Sequence, residues 1–120
     1  DELNRKEDLA EVCRRLNDRY FDGKIEVRLI EYSADQLRRF GSCNSRAKTI
    51  RISHRLSDMP RWVRDYVVVH EMAHVPEPNH GPAFWRLVSR YELAERARGF
   101  LMAKNFEDTD ESDVGPPAAL

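Results

Sequence analysis

Val67-Val68-Val69-His70-Glu71-Met72-Ala73-His74 is the stretch against which the rest of this chain is read. An apolar run that carries two histidines and a glutamate is costly to bury unless those polar groups have a task. On an α-helix, residues four apart differ by about 40° of rotation, so His70 and His74 project from one face and can grip a single ion. Glu71 lies about 100° round from His70, which sets its carboxylate beside such an ion, within reach of a water to be activated. His-Glu-x-x-His on a helix thus points to a zinc site of hydrolytic type. The opposing reading makes His70 and His74 hydrogen-bonded core histidines and Glu71 a surface acid. It would serve for a lone histidine, but not for two in register with a glutamate and followed promptly by a third.

A hydrolytic zinc site normally has three protein ligands and one position left for water. His80 is the leading candidate for the third, because Pro76 and Pro78 end the helix and the chain can turn back before Gly81-Pro82 opens another. Glu77 is the competitor, a carboxylate in the same loop. The His74 to His80 spacing equals that of the metzincin pattern, but Glu77 stands where that pattern has glycine. His54, the remaining histidine, alternates outward from Ile50 and Ile52 and is expected at the surface.

Around this motif the chain reads in order. Leu9, Val12, Cys13, Leu16 and Tyr20 recur at helical spacing, predicting one amphipathic helix from about Asn4 to Tyr20, ended by Asp22-Gly23. Lys24 to Ile30 alternates as a strand with Ile25, Val27 and Leu29 buried, and Thr49 to Ser53 as another with Ile50 and Ile52 inward. Phe40 to Ser45 is rich in turn formers and reads as a loop. The motif helix is expected to start near Pro60 and run to His74. A closing helix from Pro82 would carry Phe84, Leu87, Val88, Tyr91, Ala94, Leu101 and Met102, with a break near Gly99.

With 120 residues, 34% of them charged and 41% hydrophobic, the chain fits one small soluble domain. No apolar run is long enough to span a bilayer, and the first residues do not form a signal peptide. Cys13 and Cys43 supply no disulfide framework, so a reducing cytoplasmic compartment is expected; separately, the chain is expected to be a monomer. Eight basic residues lie between Leu37 and Arg64 against one acid, Asp58, while Glu107 to Leu120 holds five acids and no base. The first segment is either a set of scattered surface arginines or a surface for nucleic acid; the second reads as a disordered tail.

Several further elements carry a resemblance. Phe40-Gly41-Ser42-Cys43, Ile50-Arg51-Ile52-Ser53, Leu56 with Pro60, Val68-Val69-His70-Glu71-Met72-Ala73-His74 and Asn79-His80-Gly81-Pro82-Ala83-Phe84-Trp85 together resemble the small YgjP-like zinc metallopeptidase domains, relatives of SprT-like and minigluzincin proteins. Phe40 stands where tryptophan is usual and Met72 where leucine is usual, both conservative in volume. The resemblance implies zinc held by His70, His74 and His80, with Glu71 as general base. It leaves Gly41-Ser42-Cys43 either as a tight loop beneath the site or as the source of a Cys43 thiolate that inhibits the metal.

The expectation is therefore an α+β, zincin-like domain over residues 1–106 with an acidic tail over 107–120. Within the domain, an N-terminal helix, a small mixed sheet of about three strands, the motif helix and a C-terminal helix are expected. Its expected activity is zinc-dependent hydrolysis of peptide bonds, with the substrate peptide added along an exposed edge of the Thr49 to Ser53 strand. The alternatives are an SprT-like protease acting on nucleic-acid-bound proteins and a zinc-stabilised binding module without turnover.

Overall fold

The helix that carries the motif, α3 (Arg61–Ala73), lies at the centre of the molecule and packs against every other layer. From Val63 to Ala73 each of its residues is buried, so it has no solvent face along that length. The computed structural model describes residues 2–34 and 39–106; the acidic segment 107–120 lies outside them. Among the described residues no helix is long and apolar enough to cross a membrane.

Before α3 come α1 (Glu2–Lys6), α2 (Leu9–Phe21), β1 (Leu29–Ser33), β2 (Gly41–Asn44), β3 (Thr49–Ser53) and a 3₁₀ turn, His54–Asp58. After it come α4 (Pro82–Val88) and α5 (Ala94–Ala103). The sheet has the order β1-β3-β2, with β1 parallel and β2 antiparallel to β3. This is a mixed three-stranded sheet in an α+β fold, as expected. Ile50 and Ile52 on β3 are fully buried against α3, while Arg51 between them faces out. The period-two pattern reported the buried face correctly.

The expected single N-terminal helix is two helices. Asp8 caps α2 by accepting a hydrogen bond from the Ala10 amide, and its extended backbone breaks the run. Asp22 and Gly23 both take left-handed backbone conformations at the end of α2, the expected stop.

The predicted strand over Lys24 to Ile30 is displaced. Asn17 clamps Ile25 through a pair of bonds, Nδ2 donating to the Ile25 carbonyl at 2.6 Å and Oδ1 accepting from its amide at 3.2 Å. This first half of the segment is thereby held along α2. The Arg28 amide donates to the Lys48 carbonyl at 2.8 Å, and strand register begins at Leu29, which is 50% exposed rather than buried.

Phe40 to Ser45, expected as a loop, contains β2. The strand is short and weak in propensity, but a tight turn fixes it as a hairpin with β3. In that turn the Asn44 side chain accepts from the amides of Arg46 and Ala47, and Lys48 adopts φ 61°. The strand Thr49 to Ser53 is consequently central, paired on both sides, and offers no edge for a substrate peptide.

The closing helix breaks earlier than expected, at Ser89 to Leu93, and Gly99 sits inside α5. Tyr91 anchors the break: it is buried, its hydroxyl donates to the Trp62 carbonyl, and its ring meets Tyr20 edge-on. Leu101 is buried as expected, but Met102 is 64% exposed.

Candidate metal centre

His70 lies near the C-terminal end of α3 and His74 is that helix's C-cap residue. The two imidazoles share a face, as the four-residue spacing requires. Beyond His74 the chain tightens, with the Val75 amide bonding the Met72 carbonyl and the Glu77 amide the Ala73 carbonyl. That turn carries His80 back over the helix. One nitrogen from each of His70, His74 and His80 falls within 4.8 Å of the others, and all three residues are buried. Nε2 of His74 and Nε2 of His80 face each other at 2.9 Å.

Neither Glu77 nor Cys43 belongs to this cluster. Glu77 contributes through its main chain: its carbonyl accepts from Nδ1 of His74 at 3.0 Å. That bond places the proton on Nδ1 and leaves the Nε2 lone pair directed at the cluster, the usual way a ligating histidine is oriented. Burial, with His70 as a neighbour, pushes the His74 imidazole down to about 3, so it is neutral and able to coordinate. His54, by contrast, is exposed, with Nδ1 3.2 Å from the Ser33 carbonyl.

Glu71 is completely buried. Its Oε2 lies 3.2 Å from Nδ1 of His70, and its Oε1 has no hydrogen-bond partner among the described residues. Burial raises its pKa to about 8, against the pull of the nearby Arg39 guanidinium. An acceptor oxygen left without a donor in a protein interior is expensive unless a ligand or water completes it. Three imidazole nitrogens form a donor set that suits a divalent ion of the zinc type, with the Glu71 carboxylate beside it.

The surroundings are aromatic. Phe84 stacks on His74 with centroids 4.3 Å apart and also touches His70 and His80, while Phe40 meets His70 edge-on at 4.9 Å. These rings keep the inner side of the cluster dry. The outer side opens on a cleft of about 580 Å³ bordered by β2, His74 and Pro78.

Two contributors were not legible as such in the sequence. Gly41 is one: it lies so near Glu71 that a Cβ there would press on the carboxylate. The other is a buried network beneath the N-terminal half of α3. Arg64, fully buried, donates to Glu7, Asp65 and the Asn4 side chain, while Asn4 donates to the carbonyls of Leu56 and Met59. It ties α1 to the motif helix.

The architecture is that of the zincin-like metallopeptidases. Two solved structures share it: the metallopeptidase zymogen abylysin of Pyrococcus abyssi and the metallopeptidase zymogen jannalysin of Methanocaldococcus jannaschii. Abylysin superposes with a TM-score of 0.71 at 16% identity, covering 85% of this chain and all of its own. Jannalysin gives a TM-score of 0.65 at 16% identity, covering 82% of this chain and 98% of its own. No curated protein matches the sequence significantly. The YgjP-like metallopeptidase domain model matches residues 2–96, and the chain belongs to that family.

Proposed function

We propose that this protein is a zinc-dependent peptidase in which His70, His74 and His80 hold the metal and Glu71 is the general base. The observation that carries this reading is the convergence of three buried imidazoles on one point beside a buried carboxylate with an unsatisfied oxygen. Bound zinc supplies Lewis acidity, lowering the pKa of a coordinated water to about 7 and polarising a carbonyl.

The protein's own groups do the rest. The Glu77 carbonyl fixes the His74 tautomer, and Phe40 and Phe84 exclude water from the inner side of the cluster. Glu71 takes a proton from the attacking water and delivers it to the departing amine nitrogen. Burial raises its proton affinity above that of an ordinary carboxylate, the direction in which a general base gains strength. Substrate enters through the cleft between β2 and the histidine loop. The expected edge on Thr49 to Ser53 is not used, because that strand is central.

Glu71→Gln should retain one equivalent of zinc and lose hydrolysis of a degenerate peptide library. Full activity in that variant would overturn the role of Glu71. Stoichiometric zinc without cleavage by the wild type would favour a metal-stabilised binding module instead.

A further inference from the structure

The basic residues that crowd the sequence between Leu37 and Arg64 separate into groups once folded. Lys48 pairs with Glu26, Arg51 with Glu31, Arg61 with Glu7, and Arg64 with Glu7 and Asp65. Arg55 lies over the Phe106 ring, and Arg38 falls outside the described residues. Arg39 and Arg46 both line the cleft that opens beside His74. Among the described residues lining that cleft none is acidic. The remaining walls carry no acid and include the polar Ser42, Asn44 and Ser45 beside Cys43 and Pro78.

We propose that this cleft is a specificity subsite for an acidic side chain flanking the scissile bond, with Arg39 and Arg46 as the residues that select it. The proposal rests on the peptidase reading and names its substrate class. A carboxylate held there sits in a cleft lined by guanidinium groups and bordered by one metal-ligand candidate, so selection and positioning use the same contact. Arg46 is exposed on the hairpin turn and so can meet a substrate without reorganising the core. A nucleic-acid phosphate shares the anionic chemistry. However, the continuous basic track that such a ligand needs is interrupted by the pairing of Lys48, Arg51 and Arg61 with carboxylates.

The test uses the zinc-loaded full chain and a set of internally quenched peptides that differ at one residue, Glu, Gln or Lys, placed in turn at three positions on either side of the bond. At one position Glu should be preferred over Gln by about 5- to 10-fold at low salt, the size expected of partly exposed charge pairs. The preference should shrink as salt is added. Arg46→Glu should invert it in favour of Lys. Equal cleavage of Glu and Gln peptides at every position, or a preference that Arg46→Glu leaves intact, overturns the proposal.

If no peptide is cleaved, the peptidase reading fails separately. The subsite is then judged by fluorescence-anisotropy binding of the same peptides to zinc-loaded Glu71→Gln. Tighter binding of Glu than Gln peptides, reversed by Arg46→Glu, upholds it; equal binding or none overturns it. A single-stranded oligonucleotide that displaces the Glu peptide more strongly than unlabelled peptide does would assign the cleft to phosphate and overturn it as well.

Discussion

A Cβ atom on Gly41 would lie 3.0 Å from Oε2 of Glu71 and 3.1 Å from its Cγ, closer than packed side chains ordinarily approach. The same atom would lie 3.1 Å from the Arg51 carbonyl oxygen of the neighbouring strand. β2 therefore rests its backbone directly on the carboxylate assigned as general base. Glycine is favoured here by this close approach and not by a turn.

Gly41→Ala should accordingly displace Glu71 by a few tenths of an ångström while the histidines stay in place. Misplacing a catalytic group by about 1 Å costs about 100-fold, so a shift on this smaller scale should cost up to about 10-fold in kcat. Zinc stoichiometry and KM should change little. Steady-state kinetics beside metal analysis distinguishes this positioning role from general destabilisation, which would lower both together.

Arg64 lies in the same helix as the motif and is completely buried among Glu7, Asp65 and Asn4. Truncating one partner of a buried charged network leaves the others uncompensated, typically at a cost of about 3–5 kcal/mol. Urea denaturation of Arg64→Ala should show a loss of that order. A loss below about 1 kcal/mol, the scale of a surface pair, would contradict the network's role.

Glu7 supplies a pH dependence of known sign. Burial pushes its carboxyl up, but bonds from Arg61 and Arg64 outweigh burial and hold it below the ordinary range. A carboxyl depressed by folding stabilises the native state fully above its unfolded value of about 4.3, and that contribution declines as pH falls through the lower folded value. Glu7→Gln should lower stability at neutral pH and flatten the decline between about pH 5 and pH 3. An identical slope in both proteins would remove Glu7 from the account.

The two cysteines should differ in reactivity. Burial raises the Cys13 thiol to about 11, leaving almost no thiolate near neutral pH, whereas Cys43 is half-buried on the cleft beside His74. A colorimetric thiol reagent at pH 8 should show one fast and one slow site, and Cys43→Ser should abolish the fast phase. Retention of the fast phase would assign it to Cys13.

Much of this was legible from local pattern. His70 and His74 declared their shared face, and Glu71 its place beside it, by spacing alone, and Ile50 and Ile52 declared the inner face of β3. The position of His80 followed from the prolines that stop α3, since a chain that cannot continue a helix must turn. What escaped depended on partners distant in sequence. Leu29 looked buried because alternation does not reveal that Asn17 holds Ile25 away from the sheet. Gly41 to Asn44 looked like a loop because its strand character comes from pairing with β3 and not from its own composition. Glu77 looked like a rival ligand because sequence cannot show that its carbonyl, and not its carboxylate, faces His74. The Arg64 network spans some sixty positions, from Asn4 and Glu7 to the motif helix, beyond the reach of any periodicity.

Zinc content measured by elemental analysis after gel filtration, on wild type, His80→Ala and Glu77→Ala, tests the central claim most directly. Wild type should carry one equivalent. Glu77→Ala, which keeps the carbonyl that orients His74, should carry the same. His80→Ala, left with two imidazoles, should lose most of its metal. A full equivalent retained by His80→Ala, or metal lost from Glu77→Ala instead, would contradict the assignment of His70, His74 and His80 as the ligand set.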